Sequence, residues 1–357
     1  MTKDMGSEQR SILSSLGQPV HGRSIEVEIF DHGPERVKVK GVIVDLRKQG
    51  FVPTGGDLQA SGIIHHMLLE AVVRRSDLML ESLEPLQPIV AFEASEATGG
   101  ESCRDIAWRL RDLVGRPLDR SFSKWLQAGF GGPLGCSHLL TLAHFLGSTT
   151  PQALALDSAA FSGDSGFREK GERIFKRSLV LDGFELVDPA RLRVVSVLND
   201  IHMRPKSRVQ GLLDRLAFQR EIRCRSDIGM PSMAFETLEA EQRKRRAPVS
   251  AGWEDLTPVL SSLRGVGAMQ GLSHRVLDLF AEQPERQSLQ DVLLSLGPAL
   301  IQCLGSMAGR MAENQSGDAV APISALGGMN NSCYLWRVGG PSLQHRDEEM
   351  KSFDAES

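Results

Sequence analysis

The spacing of apolar residues alternates between two periods along the chain. Near the N-terminus, apolar and polar side chains alternate in stretches rich in Val, Ile and Leu, which predicts β-strands with one buried face. These predicted strands are residues 24–30, 36–46, 63–75 and 77–84. After Gly99-Gly100, apolar residues recur every three or four positions, as on one face of a helix. The predicted helices are residues 106–114, 122–128 and 137–145.

The second half of the chain repeats this order of elements. Its predicted strands are residues 179–187, 191–200, 217–225 and 228–238. Its predicted helices are residues 253–263, 272–282 and 287–312. Strands first and helices afterwards are typical of an α+β unit. The pattern therefore predicts an α+β fold in which each half forms an antiparallel sheet followed by packed helices.

Short sequence similarities between the halves indicate an internal duplication. The matching segments are Arg23-Ser24-Ile25 with Arg177-Ser178-Leu179, Arg75-Ser76-Asp77 with Arg225-Ser226-Asp227, and Gly135-Cys136-Ser137-His138 with Gly271-Leu272-Ser273-His274. Asp45 and Asp200 also end the second strand of each half. Because the matches occur in the same order, we predict two tandem, pseudo-symmetric units.

These patterns divide the chain into four predicted regions. Residues 18–156 form the first unit and residues 177–312 a second, degenerate unit. Residues 157–176 are first small and polar and then strongly charged, as in a linker. Residues 313–357 are predicted to be a loose tail, in which residues 333–338 dock as an edge strand or an apolar latch.

Composition narrows the class of protein. With 41 basic and 45 acidic residues among 357, the net charge of -4 argues against a general electrostatic grip on nucleic acid. No apolar run reaches the roughly 18 residues that span a bilayer, and the polar N-terminus lacks a signal-peptide core. Five cysteines without CxxC spacing favour a reducing compartment. We therefore expect a soluble, cytoplasmic protein.

Common catalytic motifs are missing from the sequence. It contains no phosphate-binding GxxxxGK[ST] loop, no strand-borne GxGxxG, no HExxH and no GxSxG. Nucleotide hydrolysis, dinucleotide-dependent redox chemistry and ordinary serine hydrolysis are therefore disfavoured.

Histidines of the first half are the leading catalytic candidates. His65 and His66 lie side by side on a predicted strand, so at most one of them can face the helices. His138 begins a predicted helix, and its imidazole can accept or donate a proton near pH 7. Asp45 would orient an imidazole, with the capping of a turn as the structural alternative.

Cys136 lies beside His138 at the same helix start. The positive end of the helix dipole would lower the pKa of this thiol, and imidazole with thiolate is also a zinc ligand set. The structural alternative treats Cys136 as a small core residue, Ser137 as a helix cap and His138 as a partner of backbone groups.

The second half lacks these candidates. Alignment through Arg75 and Arg225 places Arg215 and Leu216 where the first half has its paired histidines, and Leu272 replaces Cys136. Any chemistry is therefore expected in the first unit, with the second unit completing a pocket or an interface.

Several of these segments together resemble a bacterial family of uncharacterised proteins, the domain-of-unknown-function family 2889. The segments are His21-Gly22-Arg23, the strand pair ending at Asp45, Ile64-His65-His66-Met67 and Gly135-Cys136-Ser137-His138-Leu139. The similarity covers about residues 18–155, and the family has an aspartate where this chain has His66. It implies a bacterial origin and frequent association with genes for the catabolism of aromatic, terpenoid or acyl-CoA compounds.

A second similarity concerns iron–sulfur scaffold proteins. The predicted strands, the helix ending in Leu113-Val114-Gly115-Arg116 and the cysteine-led helix after it follow the order of that fold. The resemblance implies that Cys103 and Cys136 hold a metal, although the third cysteine ligand of those scaffolds has no counterpart here.

We therefore expect a bacterial catabolic enzyme that needs no cofactor, a lyase, isomerase or hydrolase acting on a small aromatic, terpenoid or acyl substrate. His65 or His66 would form an acid–base pair with His138, and Asp45 would orient it. The alternative is a non-catalytic scaffold that binds zinc, iron or a metabolite. Both versions expect no nucleic acid and no membrane, and both leave a homo- or hetero-oligomer open.

Overall fold

The architecture comes from a computed structural model of the chain. It describes residues 17–50, 52–53, 58–161, 168–186, 191–230, 232–246, 249–269, 271–313 and 328–356. The strands are β1 (Gln18–Asp31), β2 (Arg36–Arg47), β3 (Val52–Pro53), β4 (Leu58–Gln59), β5 (Gly62–Arg74), β6 (Leu80–Ile89), β7 (Arg173–Glu185), β8 (Arg191–Met203), β9 (Leu216–Gly229), β10 (Ala234–Arg246), β11 (Val249–Ser250) and β12 (Glu254–Asp255).

The helices follow each group of strands. The α-helices are α1 (Phe122–Phe130), α2 (Ser137–Phe161), α3 (Leu272–Leu279), α4 (Gln287–Leu294), α5 (Leu296–Glu313) and α6 (Pro341–Glu356). The 3-10 helices are η1 (Ala107–Leu113), η2 (Gly132–Leu134), η3 (Lys206–Arg208), η4 (Leu212–Arg215), η5 (Thr257–Leu263) and η6 (Pro284–Arg286). The prediction of an α+β fold with antiparallel strands is confirmed.

A single antiparallel sheet runs through both halves. Its strand order is β11-β10-β9-β8-β7-β1-β2-β5-β6, and β12 also pairs with β10. We expected a separate sheet in each half, but β1 and β7 pair along nearly their whole length, from Gln18 opposite Glu185 to Phe30 opposite Arg173. This pairing covers two strand edges that would otherwise expose unpaired backbone groups.

The helices cover one face of this sheet. Helix α2 packs on β2 and β5, whereas α5 packs on β1 and β7. Alternate residues of β1, such as Ile25 and Val27, are therefore completely buried. The opposite face carries ion pairs such as Lys38–Glu70, as expected for an antiparallel sheet with one side in water.

Three predicted helices differ in form from the structure. The helix predicted at 253–263 is instead the short strand β12 followed by the 3-10 helix η5. The segment at 106–114 is the 3-10 helix η1 and not an α-helix. The long helix predicted at 287–312 is split into α4 and α5 around Ser295. Pro298 accounts for the break, because it has no N–H for the carbonyl of Leu294.

The predicted linker and tail contain more regular structure than expected. Helix α2 continues to Phe161 and β7 begins at Arg173, so both elements enter the predicted linker at 157–176. The predicted loose tail includes α6, which is held by buried apolar side chains such as Leu343. Residues 333–338 form turns and not a strand, and Leu335 among them is only 1% exposed.

The inward face of the second half contains a buried ionic network centred on Arg177. Its guanidinium donates to Asp200 Oδ1 and to Asp291 Oδ2, each at 2.6 Å. It also donates to Gln152 Oε1 at 2.9 Å and to Ser288 Oγ at 2.8 Å. Because these partners lie on β8, α2 and α4, one side chain ties two helices to the sheet.

Replacing Arg177 by Met would leave Asp200 and Asp291 buried without their shared cation. We expect the free energy of unfolding to fall by about 3–5 kcal/mol, since removing one partner of a buried ion pair is strongly destabilising. Urea denaturation followed by circular dichroism measures this loss. Arg173→Met is the matched control, because Arg173 pairs with Glu28 in a solvent-accessible position and should contribute less than about 1 kcal/mol. Similar losses for both variants would contradict the prediction.

Candidate functional site

The candidate site is built around Asp45, a carboxylate on the inward face of the sheet. Asp45 lies near the end of β2, opposite Arg23 on β1 and His65 on β5. Side chains directly opposite one another in an antiparallel sheet share a face, so the three residues converge. The Asp45 side chain is completely buried, and it lies within the strand instead of capping a turn.

Hydrogen bonds keep this buried carboxylate ionised. Arg23 Nε lies 2.7 Å from Asp45 Oδ1 and Arg23 Nη2 lies 3.0 Å from Oδ2, a two-pronged contact. His21 Nε2 is 3.0 Å from Oδ1. Burial alone would raise the pKa of Asp45, but Arg23 and the neighbouring histidines hold it well below its ordinary value.

Two further imidazoles approach Oδ2 of Asp45. His138 Nε2 lies 2.9 Å from this oxygen and His65 Nδ1 lies 3.4 Å from it. The two rings are 3.8 Å apart between centroids. Both nitrogen atoms are buried, yet neither forms a hydrogen bond with correct geometry in the part of the chain that the structure describes. The ring planes therefore direct both nitrogens beside the oxygen and not at it.

Asp45, His65 and His138 could together hold a divalent metal ion. The ligand atoms of Asp45, His65 and His138 all lie within 4.8 Å of one another. Ligands about 2.1 Å from a shared metal stand about 3.0–3.4 Å apart in octahedral or tetrahedral coordination. Two imidazoles and one carboxylate suit zinc or iron.

Burial also keeps the imidazole of His138 neutral. Loss of solvent and the neighbouring His65 lower the pKa of His138 to about 3, although Asp45 acts in the opposite direction. Burial likewise lowers the pKa of His21. Neutral imidazole is the form that coordinates metals.

A cavity of about 360 Å³ opens beside this cluster. His65 and His138 line it together with Arg23 and Arg47. Its other walls are mostly apolar, with residues such as Phe92 of the first half, Leu272 of α3, Ile301 of α5 and Trp336 of the C-terminal segment. The site therefore joins arginines and histidines of the first half to walls that come largely from later parts of the chain.

Of the four predicted catalytic residues, the structure brings three together. Asp45, His65 and His138 form the cluster, whereas His66 is half-buried on the other face of the sheet, opposite Val44 and Ile89. Strand alternation explains why only one of the two adjacent histidines reaches the site.

Three polar residues of the site were not predicted from the sequence to have a role. They are His21, Arg23 and Arg47. A signal for them existed, because His21 and Arg23, like Asp45 and Arg47, stand two positions apart on strands whose other inward positions are mostly apolar.

The cysteines predicted as metal ligands lie outside the cluster. Neither Cys103 nor Cys136 belongs to the group of side chains that could hold a metal ion among the described residues. Cys136 Sγ instead lies 3.9 Å from Met67 Sδ. The expected lowering of the Cys136 pKa is wrong: burial raises it to about 12, despite backbone hydrogen bonds from Leu139 and His138.

Slow alkylation of Cys136 is the expected consequence. Because thiolate is the reactive form, the raised pKa predicts that iodoacetamide at pH 8 modifies Cys136 far more slowly in the native protein than in urea. Peptide mass spectrometry resolves the sites. The buried Cys224 and Cys303, whose pKa values burial also raises to about 12, serve as internal references. Labelling of native Cys136 well ahead of these two would contradict the prediction.

Comparison with known proteins identifies part of the chain. Residues 21–152 match a family described as "Protein of unknown function (DUF2889)". This matched segment includes Asp45, His65 and His138. No curated protein and no solved structure matches the chain. Among the described residues, no helix has the length and apolar character required to cross a membrane.

Proposed function

We propose that this chain, in which residues 21–152 form a DUF2889 domain, is an enzyme whose active centre is the cluster of Asp45, His65 and His138. The observation that carries the proposal is the convergence of two imidazoles and a carboxylate at one end of a small cavity. A cavity of this size accommodates a small organic molecule. The substrate class expected from the sequence, a small aromatic, terpenoid or acyl compound, is compatible with the apolar walls.

The proposed centre holds a divalent cation, zinc or iron, through His65 Nδ1, His138 Nε2 and an oxygen of Asp45. The sequence favoured a mechanism without a cofactor, and its metal-binding alternative used Cys103 and Cys136 as ligands. The proposed ligands are instead Asp45, His65 and His138. Support comes from the two buried nitrogens that lack hydrogen bonds of their own. Such atoms are costly to bury, and a shared cation would satisfy both.

The surrounding residues would hold this centre in place. Arg23 holds both oxygens of the Asp45 carboxylate and His21 contacts Oδ1, while Oδ2 also faces His65 and His138. Such outer contacts orient metal ligands and tune their affinity. A bound cation would polarise a substrate oxygen or activate water, which suits hydrolysis or a lyase reaction. The apolar walls would exclude bulk water from the reacting group.

Proton transfer by the histidines without a metal is the second candidate function. This candidate is favoured because the rings of His65 and His138 lie close together and both approach the Asp45 carboxylate. Asp45 would then orient both imidazoles, as expected from the sequence. Metal analysis separates the two candidates.

We also propose that the two halves arose by duplication of one α+β unit. Arg23 opposite Asp45 and Arg177 opposite Asp200 occupy equivalent cross-strand positions in support of this view. Two non-glycine residues with positive φ, Leu78 and Met233, precede β6 and β10. Their carbonyls accept hydrogen bonds from Leu118 and Ala268, respectively.

The residues that correspond between the two halves differ from those expected from the sequence. Arg220, and not Arg215, lies opposite Asp200 as His65 lies opposite Asp45. His274 is on α3 and highly exposed, so it does not correspond to the buried His138. Ser288 contacts Asp200 at 3.1 Å, as His138 contacts Asp45.

Metal content is the decisive test of the proposed function. Protein purified without chelator should contain about one zinc or iron ion per chain, measured by inductively coupled plasma mass spectrometry. His65→Ala and His138→Ala should each weaken binding by about 100-fold or more, since even outer-contact changes cost 10–100-fold. The matched control is His66→Ala, which removes the neighbouring imidazole on the other face and should leave binding unchanged.

Catalysis is tested with the same variants. Wild-type protein is incubated with panels of aromatic, terpenoid and acyl esters, amides and enoyl compounds, and products are followed by mass spectrometry. The turnover found should disappear on chelation, return with the metal, and be lost in His138→Ala but not in His66→Ala. Metal-free protein that retains full turnover would favour the proton-transfer candidate. Turnover that survives in both His65→Ala and His138→Ala would contradict the proposed centre.

A further inference from the structure

The charges that line the cavity are unbalanced. Arg23 and Arg47 both line it, and no aspartate or glutamate appears among its described lining residues. Arg23 is neutralised by its ion pair with Asp45. Arg47 forms no ion pair with any acidic residue in the part of the chain that the structure describes. The cavity therefore presents one uncompensated positive charge to whatever occupies it.

We propose that Arg47 binds the carboxylate of the substrate, so that the enzyme acts on small organic acids with an apolar body. Arg47 is the last residue of β2 and its side chain is only 4% exposed. Among the described residues, its side-chain hydrogen bonds go to the uncharged Gln59 and not to an acid. A positive charge on the inward face is thus explained by a ligand.

Gln59 holds the guanidinium in a fixed orientation. Arg47 Nη1 donates to the carbonyl oxygen of Gln59 at 2.7 Å, and Nη2 donates to Gln59 Oε1 at 3.0 Å. The Gln59 amide is itself anchored, because its Nε2 donates to the carbonyl oxygen of Ala91. Arg47 Nε is buried without a hydrogen-bond partner. Of the five N–H donors of the guanidinium, several therefore stay available for an anion.

A carboxylate is the anion that suits this group. Arg47 is buried, and an arginine guanidinium stays protonated at neutral pH. Taking a cation out of water without a counter-charge costs several kcal/mol, and a bound anion would offset part of that cost. Arginine binds planar carboxylates through two parallel hydrogen bonds, which fixes orientation as well as affinity.

Arg47 lies on the same strand as Asp45, one of the proposed metal ligands. Asp45 and Arg47 are two residues apart on the same face of β2, about 7 Å along the strand. A carboxylate on Arg47 would place the neighbouring carbon atoms beside His65 and His138. The apolar remainder would lie against walls such as Ile301 and Trp336. The inference rests on the proposed function only in treating this cavity as the substrate site.

Octanoate and 1-octanol are suitable probes, because they share an alkyl chain and differ in charge. In isothermal titration calorimetry, full-length wild-type protein should bind octanoate more tightly than 1-octanol. Arg47→Met should weaken octanoate binding by about tenfold to 100-fold, the range expected for a charged hydrogen-bonded contact, and leave 1-octanol binding unchanged. Arg47→Lys should retain part of the preference. Arg36→Met is the control, since Arg36 lies on the same strand but is exposed and pairs with Glu81.

The outcomes separate this inference from the proposed function. Octanoate binding that is unchanged in Arg47→Met, or octanoate and 1-octanol binding that fall equally, would overturn the inference. So would a wild-type protein that shows no preference for octanoate. Metal content measured on the same samples should be equal in wild type and Arg47→Met. A metal-free wild type with an Arg47-dependent preference would contradict the metal centre alone, whereas a normal metal content without that preference would contradict the subsite alone.

Discussion

The burial of the Asp45 carboxylate is the constraint that explains the polar residues around it. A charge on the inward face of a sheet must be neutralised and hydrogen-bonded, because desolvation is otherwise too costly. Arg23 supplies the counter-charge from the facing strand, and His21 adds a further hydrogen bond. On the side away from His21, Asp45 Oδ2 faces the imidazoles of His65 and His138, which gather around the same carboxylate.

The second half solves the same problem in a different way. Asp200 also lies opposite an arginine, but Arg220 and Ser288 stand where the first half has imidazoles. Asp291 adds another carboxylate to Arg177, and Ser288 donates to Asp200. The second half thus surrounds its buried carboxylates with guanidinium groups, whereas the first half places imidazoles beside Asp45.

The sheet connects the two halves and thereby creates the cavity. Pairing of β1 with β7 places α5, from the second half, over the strand that carries Arg23. Residues of α3, α5 and the C-terminal segment can then form the walls around a polar floor that belongs to the first half. Neither half alone would enclose this space. The site is a property of the joined sheet, even though its arginines and histidines come from the first half.

Local patterns in the sequence determined the elements and the faces of the strands. The period of two predicted β1, β2 and β5, and it implied that only one of His65 and His66 could face inward, because alternation is a property of neighbouring residues. Tertiary structure decided everything that depends on distant residues. The register that sets Asp45 between Arg23 and His65 results from pairing across the sheet. The pKa of Cys136 rises because packing removes water, an effect larger than that of the helix start visible in the sequence.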